Sequence, residues 1–342
     1  MIIRSKAPLR LGLAGGGTDV SPYSDQYGGC VLNVTVDMFS YCTIETLDSG
    51  RVEFIAKDMR SSFEAASEPN FPLEGEMLLH KAIYNRVVSQ FNGGERLSLR
   101  MTTFSDAPPG SGLGSSSTMV VAILAAYREL LGLPLGEYDL AHLAFVIERI
   151  DCGLAGGKQD QYAATFGGFN FMEFYANDRV IVNPLRIRRH VENELHSRLM
   201  LYFTGISRES ARIIEDQVRS TEEGQGAGVE AMHDMKRLSF EMKERLLKGD
   251  IDSFGSLFNT TWNAKKQLSE AVSNDHIERI VDAALGAGAH AVKISGAGGG
   301  GFMMLFVDPI RRLDVTKRLS AFTGEFHRFQ FNHTGVESWK VQ

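Results

Sequence analysis

The chain has 342 residues, of which 43% are apolar and 23% charged, with a formal net charge of −6 and a pI of about 5.9. That length and balance predict two ordinary globular domains and exclude a general nucleic-acid binder, which would carry a strongly basic surface. Cys30, Cys42 and Cys152 fit neither a disulfide framework nor a zinc site, the nine histidines show no metal-type spacing, and no run approaches 18 uncharged apolar residues. The expectation is a cytoplasmic protein without a signal peptide, membrane span or nucleic-acid partner.

In chain order, residues 2–14 read as a strand interrupted at Pro8 and ended by "GGGTD". Residues 30–47 are rich in β-branched and aromatic side chains and predict a second strand; 51–58 and 96–104 alternate as two more, with a helix near 76–91. "PPGSGLGSSS", residues 108–117, then opens a helix whose apolar Val120, Ile123, Leu124, Tyr127 and Leu131 recur at helical spacing up to Gly132 and Pro134. A helix over 137–150 follows, then the loop "DCGLAGGKQDQYAATFGG". The basic, apolar-poor stretch 180–190 marks a boundary between domains 1–185 and 186–342. Beyond it come a strand near 198–205, helices near 207–221, 229–248 and 251–271, and a compact series: helix 275–287, strand 291–295, "GAGGGG", strand 302–307, helix 309–322 and strand 326–331. That order resembles a split βαβ, or ferredoxin-like, unit. The fold class expected is therefore mixed α/β (α+β) in two domains.

Three glycine loops concentrate the chemistry: "LAGGGTD" (13–19), "PPGSGLGSSS" and "SGAGGGGF" (295–302). Glycine allows positive φ and close approach of backbone to a ligand. The central loop lacks the lysine of a P-loop, because the positions where one would fall hold serine. "GAGGGG" satisfies G-x-G-x-x-G literally, yet a strand follows it where a dinucleotide fingerprint needs a helix. Pro109, Gly110, Ser111, Gly112, Leu113, Gly114, Ser115, Ser116 and Ser117 do precede a helix, so free N–H groups and the positive dipole end favour a phosphate there. A lysine-free cradle of this length suits a nucleoside triphosphate assisted by Mg²⁺.

"PPGSGLGSSS" resembles the central phosphate-binding motif of the GHMP kinases, the family of galactokinase, homoserine kinase, mevalonate kinase and phosphomevalonate kinase. "KAPLRLGLAGGGTD" resembles that family's N-terminal motif and "KISGAGGGGF" its C-terminal one, so the resemblance runs from residue 6 to 302. It implies an S5-like N-terminal domain, a ferredoxin-like C-terminal domain, and phosphoryl transfer from ATP with Mg²⁺. Within the family, "GGGTDVSPYSDQYGGCVLNVTVD", "FTGISRESARII" and "WNAKKQLS" are most similar to kinases that phosphorylate a heptose 7-phosphate at its anomeric C1 hydroxyl. Galactokinases carry a different stretch after the first motif. Another sugar 1-kinase, for fucose or galactose, is the alternative; a non-catalytic sugar and nucleotide sensor is a further one.

The resemblance implies roles by position. Glu148 would bind Mg²⁺ with a hydroxyl from Ser116, Ser115 and Ser117 being rivals. Asp160 would face the acceptor hydroxyl, as general base or as orienting group. Arg10 would stabilise that carboxylate and offset charge on the transferred phosphoryl group, with Lys6 and Lys158 as other candidates. Gly17, Thr18 and Asp19 would present polar groups to sugar hydroxyls, with Tyr23 and Gly298 lining the pocket. Arg208, ahead of a helix, would anchor a distal phosphate. The expected partners are ATP and a sugar phosphate, with a homodimer left open.

Overall fold

The computed structural model describes residues 1–206, 211–222 and 227–342. The chain begins with β1 (Ile2–Ala14), a short α1 (Tyr23–Tyr27) and the 18-residue β2 (Gly29–Thr46), which pairs antiparallel with β1 along its length. Pro8 does not break β1. The register instead shifts between Pro8 and Arg10, a bulge that absorbs the missing N–H. Next come β3 (Arg51–Ala56), β4 (Ser61–Ala66), α2 (Leu78–Phe91) and β5 (Leu99–Ser105), with β3 parallel to β5. The chain continues through α3 (Ser115–Leu131), α4 (Glu137–Phe145), a π-helical turn Val146–Asp151, α5 (Gln159–Phe166), β6 (Phe169–Phe174) and β7 (Val180–Pro184). This first sheet runs β12 (Glu337–Lys340), β1, β2, β5, β3, β4, with β6 on the other half of β2 and β7 beside it. Its β12 is the chain's last strand.

After β7 come α6 (Arg189–Arg198), β8 (Leu199–Phe203), α7 (Ala211–Glu222), α8 (Ala227–Lys248), α9 (Ile251–Lys266), α10 (Asp275–Gly286), β9 (Ala289–Ile294), β10 (Phe302–Val307), α11 (Arg312–Leu319), β11 (Glu325–His327) and β12 (Glu337–Lys340). The second sheet is antiparallel in the order β11-β8-β10-β9, the ferredoxin-like arrangement expected of the compact series. The boundary read at 185/186 falls between β7 and α6. The division 1–185 and 186–342 needs one correction at its end: β12 returns to the first sheet, pairing Ile3 with Lys340 through Lys6 with Glu337. The strand read at 326–331 shortens to β11, and Phe331 makes only an isolated bridge to Val36.

α3 is apolar almost all round, and from Val120 to Tyr127 every side chain is buried. A helix of that kind belongs in a core. It lies against β1 and β2, which fixes its head relative to the glycine loop that follows β1. A second core joins the two halves: Leu9, Leu11 and Leu32 meet Phe254 and Phe258 of α9 and Phe302 of β10, all fully buried. Each such side chain contributes about 1.5–3 kcal/mol on burial, against about 0–1 kcal/mol for an exposed ion pair, so apolar packing rather than surface charge holds the halves together. Among the described residues, no helix is long and apolar enough to cross a membrane.

Candidate active site

The three glycine loops, far apart in sequence, lock together. Arg10 N–H donates to the Leu113 carbonyl at 3.1 Å, and Phe302 N–H donates to the Ser111 carbonyl at 2.8 Å. Gly112 and Gly296 touch so closely that a Cβ on Gly112 would stand 2.4 Å from the Ser295 carbonyl oxygen. The central loop is therefore clamped between β1 and the third loop.

This clamp leaves the head of α3 facing a cleft of about 570 Å³, walled by Pro109, Gly110, Gly112, Gly114, Ser115, Ser116 and Ser117 on that side. Gly114 caps the helix with φ +77°, and no side chain accepts from the first turn. The orphan N–H groups and the dipole remain available to an anion. Two expected cradle residues face elsewhere: Leu113 is core, and the Ser111 hydroxyl is fully buried.

Asp160 lines the same cleft, close against the head of α3. The sequence reading put it in a loop; it occupies the first turn of α5. Its Oδ1 accepts from Arg10 Nε at 2.6 Å, and Arg10 also donates to the Gly112 carbonyl at 2.6 Å. The pair thus ties the catalytic carboxylate expected from the sequence to the phosphate loop itself. A Cβ on Gly114 would lie 2.9 Å from Asp160 Cγ, so only glycine gives both the positive φ and the room for this carboxylate. Lys6 and Lys158 do not line the cleft; they pair with Glu337 and Asp178 at 2.9 and 2.8 Å.

Glu148 is carried inward by the π-helical turn, a distortion often found at functional sites, and is 1% exposed. Ser116 Oγ donates to its Oε1 at 2.8 Å and Ser117 Oγ to its Oε2 at 2.6 Å, while Gln161 Nε2 donates to Oε2 at 2.7 Å. Ser115 turns away to the Pro108 carbonyl. A buried carboxylate and a cleft-facing hydroxyl are hard oxygen donors of the kind Mg²⁺ takes, with the remaining positions left to phosphate oxygens and water. The residues therefore fit the ion that the family implies.

Asp19 is buried at the cleft wall and accepts from Gly17 N–H and Gln159 N–H, each at 3.0 Å, and from Gln159 Nε2 at 3.1 Å. Burial pushes its carboxyl above the usual carboxylate range, and the Gln159 N–H pulls the other way. Gly17 also lines the cleft. Thr18 does not: its hydroxyl donates to the Gly15 carbonyl at 2.7 Å and accepts from Cys30 N–H at 3.0 Å, holding the loop in shape. Tyr23 is likewise not a wall residue. Its hydroxyl meets His233 Nδ1 at 2.8 Å, and its ring packs with Met232, Met235 and Leu268. Gly298 presses on the backbone of Val272, so the third loop reaches the cleft through Gly296 and Ala297 instead. Arg208 lies outside the described residues.

Two site residues were missed in the sequence. Arg149 lines the cleft and donates to the Leu154, Ala155 and Gly157 carbonyls and to Ser117 Oγ, bracing the loop that leads to Asp160. Nothing in its surroundings in the sequence separates it from a surface arginine. Lys265 of α9 also lines the cleft, and it carried a signal: it continues the buried stripe Phe254, Phe258 and Trp262, where a charge is out of place.

A phosphate-ready helix head facing an Arg–Asp pair, with a carboxylate and hydroxyl between, defines a phosphotransferase site. Residues 78–168 match the family profile "GHMP kinases N terminal domain" and residues 242–323 match "GHMP kinases C terminal", and the chain belongs to the GHMP kinase family of ATP-dependent phosphotransferases. It is 48% identical over 339 residues, covering 99% of both chains, to the D-glycero-alpha-D-manno-heptose 7-phosphate kinase of Campylobacter jejuni. The crystal structure of a D-glycero-D-manno-heptose 1-phosphate kinase from Bacteroides thetaiotaomicron superposes with a TM-score of 0.85 at 46% identity over 99% of both chains. A galactose complex of Lactococcus lactis galactokinase shares the fold at 16% identity, with a TM-score of 0.77 over 98% of this chain and 95% of that one.

Proposed function

We propose that this enzyme transfers the γ-phosphoryl group of ATP to the anomeric C1 hydroxyl of D-glycero-D-manno-heptose 7-phosphate, giving the 1,7-bisphosphate on the way to a nucleotide-activated heptose. The observation that carries this reading is the uncapped head of α3 beside the Arg10–Asp160 pair, in a chain nearly half identical to a heptose 7-phosphate kinase.

In this reading the triphosphate lies along residues 110–117, held by main-chain N–H groups rather than by a lysine. Glu148 and Ser116 hold Mg²⁺, which when bound neutralises charge shared by the phosphates. Asp160 takes or orients the C1 hydroxyl proton, and Arg10 balances negative charge developing on the transferred group. Asp19 accepts from sugar hydroxyls, fixed for that task by three N–H donors of its own. Arg208 remains the candidate anchor for the 7-phosphate. A reaction that consumes ATP and a sugar phosphate suits the cytoplasm.

The two heptose-kinase relatives carry names that differ in which phosphate their substrate already bears. ADP release across heptose 7-phosphate, heptose 1-phosphate, unphosphorylated heptose, fucose and galactose, with ³¹P NMR of the product, resolves this. The expected result is the highest kcat/KM for heptose 7-phosphate and new phosphorus coupled to the anomeric proton. Preference for another sugar, or a new phosphate at another carbon, would overturn the assignment.

A further inference from the structure

Lys265 is 5% exposed, and its ammonium donates to the Gly296 carbonyl. It forms no ion pair with any described residue. The nearby carboxylates are held by other donors, Asp19 by Gly17 and Gln159 and Asp160 Oδ1 by Arg10, and keep further acceptor sites for a ligand. An ammonium buried with one carbonyl partner is costly, because two of its three donors are unaccounted for. The other buried lysines near these loops differ. Lys158 is paired with Asp178, and Lys293, which donates to the Leu13 carbonyl at 2.8 Å, lines the small annex behind the cleft but not the cleft itself. Lys265 lines both the cleft and a small annex of about 20 Å³ bounded by Gly12, Gly15 and Gly16. Gln159, whose Oε1 is buried without a partner, walls the same annex.

We infer that Lys265 is a substrate-binding residue, donated by the second half of the molecule, whose ammonium binds oxygen atoms of the acceptor sugar between Asp19 and Asp160. The inference rests on the proposed sugar-kinase reading. Third-loop packing sets its position, since the Gly296 carbonyl that holds Lys265 belongs to the residue pressed against Gly112. The charges that act on it are those of Arg10 from β1, Asp19 from the loop after β1, Asp160 from α5 and Lys293 from β9. Burial, and then the Arg10 charge, lower its pKa to about 8, with Asp19 and Asp160 opposing. The ammonium is therefore present below that pH and lost as pH rises through it.

The test is steady-state kinetics of Lys265→Met and Lys265→Gln with heptose 7-phosphate and ATP, after circular dichroism and thermal melting establish folding. Expected is a rise of about tenfold or more in acceptor KM, the scale of a lost charge-assisted hydrogen bond, with ATP KM within about threefold of wild type. Wild-type kcat/KM for the acceptor should fall as pH rises through about 8, and loss of that limb in Lys265→Met assigns it to Lys265 rather than Lys293. An unchanged acceptor KM, or equal losses for both substrates, overturns the inference. If neither variant folds, a wild-type acceptor profile flat through pH 8 overturns it. Failure of every sugar in the panel would instead sink the functional reading, so the two outcomes are separable.

Discussion

Replacing Asp160 by asparagine is expected to leave a folded enzyme that binds ATP normally and turns over at least about 10²-fold more slowly. The substitution keeps the shape of the side chain, and its amide oxygen still accepts from Arg10 Nε, so the clamp between Arg10 and the Gly112 carbonyl survives. The nucleotide wall, residues 109–117, is built from backbone and hydroxyls that do not depend on this carboxylate. What disappears is the capacity to take a proton. If Asp160 only orients the acceptor hydroxyl, asparagine retains most of that hydrogen bond and the loss shrinks to about tenfold. ATP titration by fluorescence and turnover by ADP release separate the two roles, and near-normal turnover would remove Asp160 from the chemistry.

The second large effect is expected at Glu148. Glu148→Gln keeps the volume; its amide oxygen still accepts from Ser117 and Gln161, and its amide nitrogen donates to the Ser116 hydroxyl instead of accepting from it, which favours a folded protein. It removes the one buried carboxylate on the phosphate side of the cleft. A bound divalent cation contributes several kcal/mol of charge stabilisation in phosphoryl transfer, so kcat should drop by about 10²-fold or more and the Mg²⁺ concentration for half-maximal rate should rise. The direct check is Mg²⁺ dependence of ATP-analogue affinity. Equal Mg²⁺ dependence in variant and wild type would show that Glu148 only supports the serines.

The phosphate loop was legible from residue chemistry because it is local, whereas Arg10, Glu148 and Asp160 gained their roles only through the family resemblance. A glycine-and-serine loop running into an apolar helix announces a phosphate site, and α3 begins at Ser115 directly behind that loop. The ferredoxin-like half was readable because its elements alternate cleanly in sequence. Elements whose signals were weak or non-local were not read. α5 has only eight residues between glycine-rich flanks, so Asp160 was assigned to a loop. β4, β6, β7 and α6 are short, and β12 gains its partner only by returning across more than 300 residues of chain. Tyr23 illustrates a different limit. Its neighbourhood in the sequence is the sugar loop, yet its hydroxyl partner is His233, 210 residues away. Lys265 was visible as a charge on an apolar stripe, but only the fold reveals that the stripe ends at the cleft.

The central claim is that the head of α3 grips a triphosphate and aims it at a sugar oxygen beside Asp160. A crystal structure with a non-hydrolysable ATP analogue, Mg²⁺ and heptose 7-phosphate tests it most directly. The account predicts phosphate oxygens on the N–H groups of residues 110–117, with the C1 oxygen within hydrogen-bond reach of Asp160 and in line with the γ-phosphorus. A triphosphate seated elsewhere, or a C1 hydroxyl turned away from Asp160, would contradict it.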